Sequence, residues 1–272
     1  MRLLPVIRAA VEAQRPTGQA ARILTIDLER LPGEVTLDVW EPRDFSRINY
    51  VHPDRWDKLP RTLCFSYRWY GSKKVEFVAN WDNPDDPWHC ARAAWDLFDQ
   101  ADIVVTFNGR RADCKWLKSD WAMAGLPQPA PWRDVDLFVI ARSAFSFESK
   151  SLRHLCERLG LDNKDGHYNA GEAKRAEAGD LSARRRLTRY NKQDTRVTEM
   201  LLDRLRPWIK GVNLGAYHLD DEQRCPACGG TDLKAAGWYM ANVQRYALFR
   251  CACGALARSN AVKHKTQLRG VV

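Results

Sequence analysis

The stretch Ile23-Leu24-Thr25-Ile26-Asp27-Leu28-Glu29 decides the fold prediction. It begins as an apolar, β-branched run of the kind that forms a buried strand, and it ends with two carboxylates two residues apart. Side chains at positions i and i+2 of a strand project from the same face, so Asp27 and Glu29 converge. Carboxylates on one face repel each other unless a positive charge lies between them, and a divalent cation is the usual solution. A strand that runs into an acidic turn is the alternative.

The rest of the chain supports a sheet covered by helices. Strand patterns occur at 34–40, 62–70, 74–79 and 102–107. Helical patterns occur at 88–100, 112–124, 135–144, 151–159 and 181–205. Strands joined by turns, followed by helices around one more strand, predict an α/β protein with a mixed β-sheet flanked by helices.

The overall composition limits the class of protein. A chain of 272 residues can hold one sizeable core with a small appendage. Its formal net charge of +9 favours an anionic partner, of which nucleic acid is the commonest. We expect no membrane association, because no apolar run approaches the ~18 residues of a span. Residues 3–14, within an N-terminal extension of residues 1–21, predict a short peripheral helix. We expect an intracellular, cytoplasmic protein.

Two later segments of the chain carry an aspartate that could add to this acidic pair. Asp113 lies at the start of a predicted helix, just after a buried strand and an Asn-Gly turn. Helix capping explains this aspartate without any chemistry. Tyr190 and Asp194 are four residues apart and share one face of the last long helix. A half-buried tyrosine beside a solvated aspartate is the alternative there.

Taken in order, these acidic motifs form a recognisable set. They are Asp27-x-Glu29, Asn108-Gly109-x-x-Ala112-Asp113 and Tyr190-x-x-x-Asp194. The set resembles the three motifs of the DEDD superfamily of 3′–5′ exonucleases, and the tyrosine is similar to that of the DEDDy branch. Four further stretches, at residues 101–105, 131–136, 152–155 and 205–208, are similar to those of phage-encoded exonuclease-like proteins of this superfamily. The resemblance covers about residues 22–212 and implies an RNase H-like fold for a domain at 22–214.

Arg189 stands where the histidine branch has its histidine, which favours the resemblance to the DEDDy branch. The chain departs from the family pattern at two positions. Ala112 replaces a phenylalanine that usually precedes the middle aspartate, which alters the packing beneath the site. Arg30 replaces the threonine that often follows the first motif, so the substrate contacts at that position are in question.

The resemblance implies a two-metal nuclease site. Asp27, Glu29, Asp113 and Asp194 would hold two Mg²⁺ or Mn²⁺ ions, and Tyr190 would orient the attacking water. The implied reaction is hydrolysis of phosphodiester bonds from the 3′ end, and we expect DNA as the substrate. Three alternatives stay open: an inactive nucleic-acid-binding adaptor on the same fold, a ribonuclease, and an endonuclease that cuts structured DNA.

Residues around the three motifs are second-rank candidates. Asp136 could support a metal-bound water or the floor of the site, and a charge at a helix N-terminus is the alternative. Asn108 and the basic residues Arg185, Arg189 and Lys192 are candidates for contacts to the nucleic-acid backbone. A solvated helix face explains the basic residues equally well.

The last fifty residues form a separate prediction. Cys225-Pro-Ala-Cys228 and Cys251-Ala-Cys253, each followed by glycine, have the spacing of a four-thiolate zinc site, which is typical of a zinc ribbon. We place this domain at 220–272, after a linker at 211–218. The alternatives are a disulfide-linked tail and a ribbon that has lost tight zinc binding, and His264 could substitute as a ligand. The other four cysteines are expected to be small buried side chains in a reducing compartment.

The charge of the ribbon indicates its partner. Residues 221–272 contain eight Lys and Arg but three Asp and Glu. This balance favours contact with nucleic acid, most simply the DNA substrate. A polymerase or another replication or repair protein is a candidate partner, and the host cytoplasm is the expected location if the protein is phage-encoded.

Overall fold

The computed structural model describes residues 20–41, 43, 46, 48–162 and 168–265. The predicted N-terminal helix at 3–14 lies outside these ranges. The chain forms two compact units. One comprises Ile23–Val139 and Phe147–Leu201, and the other includes Ile140–Ser146 and the chain from Leu202 onward. No helix within the described ranges is both long and apolar enough to cross a membrane.

Strands and helices of the described chain follow in the order in which they are numbered. The first seven strands are β1 (Ile23–Leu31), β2 (Glu34–Val35), β3 (Trp56–Lys58), β4 (Arg61–Trp69), β5 (Glu76–Ala79), β6 (Ile103–Thr106) and β7 (Arg133–Asp136). The helices are α1 (His89–Gln100), α2 (Asp113–Met123), α3 (Leu137–Ala144), α4 (Leu152–Leu159), α5 (Ala170–Glu177) and α6 (Leu181–Leu205).

The main sheet has β1 at its centre. Its strand order is β5-β4-β1-β6-β7, in which β4 is antiparallel to β1 and to β5, whereas β6 runs parallel to β1 and to β7. The parallel step from β1 to β6 requires a crossover, and the chain between them includes α1. Asp27 pairs with Ser66 and Glu29 with Cys64, but Arg30 pairs with Thr62, so Leu63 is bulged.

Alternation along β1 divides its side chains between two cores. Leu24, Ile26 and Leu28 pack with Phe98 of α1 and Trp121 of α2. On the other face, β1 and β4 pack with α5 and α6. The buried residues of this second core include Leu31, Leu63 and Cys64 of the strands and Ala173, Ala176, Ala183 and Leu187 of the helices. Full burial of one large aliphatic side chain contributes about 1.5–3 kcal/mol, so β1 is strongly held in this register.

Several local predictions were wrong. The pattern at 34–40 predicted a strand beside β1, but only Glu34–Val35 is extended in a sheet and it pairs with β3. The side chain of Trp40, at the end of this segment, is fully exposed and does not pack into the core. The helix predicted at 135–144 begins at Leu137, because Arg133–Asp136 pairs in parallel with β6. Helix α5 was not predicted.

Other predictions are confirmed. Helix α6 has the predicted bounds of 181–205, and α1, α2 and α4 lie within one residue of their predicted bounds. The mixed sheet flanked by helices is the predicted α/β class. All four cysteines outside the ribbon are buried, as expected, and these are Cys64, Cys90, Cys114 and Cys156.

The second unit contains a three-stranded antiparallel sheet. Its strands are β8 (Leu233–Met240), β9 (Gln244–Cys251) and β10 (Leu256–Lys265), with β9 in the middle. The predicted linker includes a 3-10 turn at Leu214–Tyr217, and the N–H of buried Leu214 donates to the carbonyl of Pro226 at 2.8 Å. The linker is therefore anchored to the first cysteine loop.

Candidate functional site

Strand β1 and helix α6 bring three carboxylates together. One oxygen from each of Asp27, Glu29 and Asp194 lies within 4.8 Å of the other two. Glu29 and Asp194 are buried, and Asp27 is half-buried. Three negative charges at such distances repel one another strongly in a buried site unless a cation balances them. Carboxylate oxygens are the ligands that Mg²⁺ and Mn²⁺ prefer, so the donor set fits the implied metals.

Asn191 holds the helix against the strand. Its side-chain amide donates to the carbonyl of Asp27 at 3.1 Å and to the Asp27 carboxylate at 2.7 Å. The carbonyl of Asn191 accepts from the Ser66 hydroxyl at 2.8 Å, which also bonds the Thr195 hydroxyl at 2.6 Å. The sequence analysis missed Asn191. Its signal was a polar residue at helical spacing from the buried position Leu187.

Tyr190 lies beside the same carboxylates. Its hydroxyl donates to the carboxylate of Asp194. Burial raises the pKa of Tyr190 well above its ordinary value, and the negative charges of Asp194 and Glu29 raise it further. The phenol therefore stays protonated through the neutral range, where it can donate a hydrogen bond but cannot accept a proton as a base.

Asp113 lies next to β1 but outside the three-carboxylate group. It is the first residue of α2, and its carboxylate accepts a hydrogen bond from the N–H of Leu28. Burial raises the pKa of Asp113 to about 7, and the nearby carboxylate of Asp136 contributes to this shift. A buried carboxylate in this state binds a cation in competition with a proton.

Asp136 organises the loop that leads into α2. Its carboxylate accepts from the N–H groups of Asn108 at 2.9 Å, Arg110 at 3.1 Å and Phe138 at 3.0 Å. Phe138 is in the first turn of α3. The geometry therefore favours the alternative in which Asp136 places a negative charge at the N-terminus of that helix. Asn108 is exposed and has a φ of 65°, a left-handed conformation that asparagine tolerates.

Arg30, the departure from the family pattern, is bound by the protein itself. Its guanidinium donates to the Pro60 carbonyl at 2.9 Å and lies 3.7 Å from the carboxylate of Asp120. The guanidinium also lies 4.9 Å from the centre of the Trp116 ring. The side chain thus links the end of β1 to the start of β4 and to α2, which gives this cation a structural role.

Tyr168 is a second tyrosine at this site that the sequence analysis missed. Its hydroxyl donates to the carbonyl of Arg30. Burial raises the pKa of Tyr168 to about 12, and the charge of Glu29 contributes. Nothing in the sequence motif marks this residue, since its position depends on how the chain returns before α5.

The predicted basic residues lie on a different face of α6 from the acidic group. Arg185, Arg189 and Lys192 share one face at i, i+4 and i+7, and none of them forms an ion pair within the described part of the chain. At about 100° per residue, Arg189 lies about 140° around the helix from Asp194. The structure therefore does not bring these basic residues to the carboxylates.

The four cysteines of the second unit converge. Their sulfurs all lie within 4.8 Å of one another, with Cys225 and Cys253 3.8 Å apart and Cys228 and Cys251 3.5 Å apart. Four thiolates at about 2.3 Å from a tetrahedral Zn²⁺ are separated by about 3.8 Å, so the donor set fits zinc.

Local backbone geometry supports this cluster and rules out one alternative. All eight cysteines are free thiols, so the disulfide-linked tail is wrong. The N–H of Gly230 donates to the Cys228 sulfur at 3.4 Å, which is the type of contact that stabilises a thiolate. His264 lies on β10 opposite Arg245 and is not part of the cysteine group.

Comparisons with known proteins support the fold. A model of the RNase_H superfamily matches residues 57–206, which include Asp113, Tyr190 and Asp194 but begin after Asp27 and Glu29. No curated protein matches the chain. The structure of the family B DNA polymerase from the hyperthermophilic archaeon Pyrobaculum calidifontis matches with a TM-score of 0.51 and 17% sequence identity.

The extent of these matches determines what they show. The polymerase match covers 71% of this chain but 26% of that chain, so it is a likeness of fold over about a quarter of a larger protein. The family match and the observed sheet together confirm the predicted RNase H-like fold. Because the matched segment is more than half of the 272 residues, the chain belongs to the RNase_H superfamily.

Proposed function

We propose that this protein is a metal-dependent 3′–5′ exonuclease that hydrolyses the phosphodiester bonds of DNA. The observation that carries the proposal is the convergence of Asp27, Glu29 and Asp194, with Tyr190 beside them. Membership of the RNase_H superfamily supports a nuclease-type function. The 3′–5′ direction rests on the ordered resemblance of the three motifs to the DEDDy exonucleases.

The proposed mechanism uses two divalent cations. Asp27, Glu29 and Asp194 would hold one Mg²⁺ or Mn²⁺, and Asp113, whose carboxylate accepts from the N–H of Leu28, would help to hold a second together with Asp27. When bound, such a pair lowers the pKa of the attacking water and neutralises charge on the phosphate.

The protein's own groups position this chemistry. Asn191 fixes the Asp27 carboxylate by hydrogen bonds to both its side chain and its main chain. Tyr190, held protonated by burial and by Asp194, would donate a hydrogen bond to orient the water. Asp136 shapes the loop before Asp113 through the main-chain N–H groups of Asn108 and Arg110, and it does not itself act on the substrate.

The cysteine cluster has a structural role in this proposal. Cys225, Cys228, Cys251 and Cys253 would hold one Zn²⁺, and metal binding would supply folding free energy to a small sheet with little core. One buried hydrophobic cluster of this unit consists of Cys225, Cys251 and Ala255. The zinc ribbon would then help to hold nucleic acid, consistent with its basic charge.

One digestion experiment tests the proposal. A single-stranded DNA oligonucleotide labelled at its 5′ end should shorten progressively in the presence of Mg²⁺ or Mn²⁺, whereas a 3′ label should be released at once as a mononucleotide. Asp27→Asn should abolish both signals, and Asp96→Asn, an exposed aspartate on α1, should not.

Other outcomes of this experiment separate the alternatives. Internal fragments would indicate an endonuclease, and digestion of RNA but not DNA would indicate a ribonuclease. Binding without turnover in either metal would indicate the inactive adaptor. Full activity of Asp27→Asn would contradict the proposed site itself.

A further inference from the structure

The three strands of the ribbon carry one sign of charge. Residues 233–265 contain six Lys and Arg and no Asp or Glu. These basic residues are Lys234, Arg245, Arg250, Arg258, Lys263 and Lys265. Because these strands carry no carboxylate side chain, none of their side chains repels a polyanion, and their positive charge attracts one.

The strand register places half of these cations with two tyrosines. Residues directly opposite in an antiparallel pair project from the same face. Tyr239 is opposite Tyr246, Lys234 is opposite Arg250, and Arg258 is opposite Leu248. Tyr246, Leu248 and Arg250 alternate along β9, so they share one side of the sheet. We name this side, defined by Lys234, Tyr239, Tyr246, Arg250 and Arg258, the tyrosine face.

The tyrosine face groups two tilted tyrosine rings with an arginine guanidinium. The rings of Tyr239 and Tyr246 lie 6.4 Å apart, and the Arg258 guanidinium lies 4.1 Å from the Tyr246 ring centre and 5.6 Å from that of Tyr239. Tyr246 is 7% exposed, whereas Tyr239 is 47% exposed and Arg258 is exposed. The buried ring thus supports an accessible ring and an accessible guanidinium, both of which are surfaces on which a nucleobase stacks.

We propose that the tyrosine face binds single-stranded DNA. Lys234, Arg250 and Arg258 would neutralise phosphates, and Tyr239 with Arg258 would stack against bases. A single strand fits better than a duplex, because the faces of duplex bases are covered by their neighbours and only edges and phosphates remain accessible. The choice of DNA rests on the proposed function, but the surface and its preference for a single strand stand on the ribbon alone.

The test measures binding by the full chain without digestion. Zinc-loaded protein carrying Asp27→Asn is titrated against a fluorescent thymidine oligonucleotide of about twenty nucleotides and against a duplex of the same length, and anisotropy is read at several salt concentrations. We expect tighter binding to the single strand. Tyr239→Ala should weaken it about tenfold, as is typical for loss of one stacked base, and Tyr239→Phe should not.

A matched pair of arginines on one strand tests the face. Arg250 and Arg245 lie on opposite sides of β9, so Arg250→Ala and Arg245→Ala remove the same charge from the same strand. Arg250→Ala should weaken binding several-fold. It should also reduce the slope of the logarithm of the binding constant against the logarithm of the salt concentration by about 0.7, the value expected for one lost phosphate contact. Arg245→Ala should change binding less. Zinc content of each variant shows that the ribbon is intact.

Specific results would overturn the proposal. They are unchanged binding by Tyr239→Ala with zinc retained, equal effects of the two arginine variants, or tighter binding to the duplex. These binding measurements do not depend on digestion. A failed exonuclease assay would therefore contradict the proposed function without contradicting single-strand binding by the tyrosine face.

Discussion

The side-chain amide of Asn191 on α6 donates two hydrogen bonds to Asp27 on β1, one to its carbonyl oxygen at 3.1 Å and one to its carboxylate at 2.7 Å. Asn191 is fully buried, so these bonds are shielded from water. They set the orientation of one carboxylate of the acidic group before any cation binds, which is the role of a residue that supports a metal ligand.

Loss of these two hydrogen bonds should weaken metal binding. Asn191→Ala removes both hydrogen bonds to Asp27, and we expect the Mg²⁺ concentration for half-maximal activity to rise about 10–100-fold. A Mg²⁺ titration of the initial digestion rate measures it. Thr188→Ala is the control on the same helix, because the Thr188 hydroxyl bonds the Arg184 carbonyl of α6 itself. An unchanged Mg²⁺ requirement in Asn191→Ala would show that Asp27 is held in place by other contacts.

Stability without added Mg²⁺ or Mn²⁺ should depend on Asp113. Its pKa is raised from 3.8 to about 7, so the folded protein holds a proton that the unfolded chain releases above pH 4. The free energy of unfolding therefore falls as the pH rises from about 4 to 7, by an amount on the order of 4 kcal/mol, and is steady above that range. Asp113→Asn should abolish this fall. Melting temperatures at pH 5 and pH 8 measure the effect, and parallel pH profiles for the two proteins would contradict it.

The Tyr190 hydroxyl should contribute to turnover and not to metal binding. Tyr190→Phe keeps the buried ring but removes the donor to Asp194, and we expect kcat to fall about 10–100-fold with an unchanged Mg²⁺ requirement. Because the pKa of Tyr190 is raised, activity should also show no loss from tyrosine ionisation between pH 8 and 10. Single-turnover rates across that range test both statements. A wild-type rate that drops with a midpoint near pH 9 in a tyrosine-dependent manner would contradict the protonated donor.

The ribbon should contain one zinc that depends on all four cysteines. Cys228→Ser removes one thiolate, and we expect the zinc content to fall from about one per chain to near zero, with loss of the ribbon's structure. Cys156→Ala, a buried cysteine outside the ribbon, should retain its zinc. Elemental analysis of both purified proteins decides the matter. Full zinc in Cys228→Ser would point to a ligand set other than the four sulfurs.

Local patterns in the sequence predicted the elements that depend on neighbouring residues. The period of apolar residues predicted a helix over the range of α6, and alternation along β1 identified which side chains share a face with Asp27 and Glu29. The short cysteine spacings identified the ribbon for the same reason, since each pair needs one turn of chain to bring its sulfurs together.

The remaining features were decided by contacts between distant parts of the chain. Arg133–Asp136 is too short and too charged to be read as a strand, and it becomes one by pairing with β6. That pairing moves Asp136 to the start of α3, where main-chain N–H groups take up its carboxylate. Asn191 and Asp27 are 164 residues apart, so no local pattern could connect them.

The sequence by itself thus determined which residues carry the acidic and thiolate groups, because spacing within one strand, helix or turn is a local property. Only the tertiary structure decided that Asp113 lies outside the three-carboxylate group, that Arg30 is bound by the protein and that the basic face of α6 lies away from Asp194. These outcomes depend on how β1, α2 and α6 pack against each other, and that packing is the sum of contacts along the whole fold.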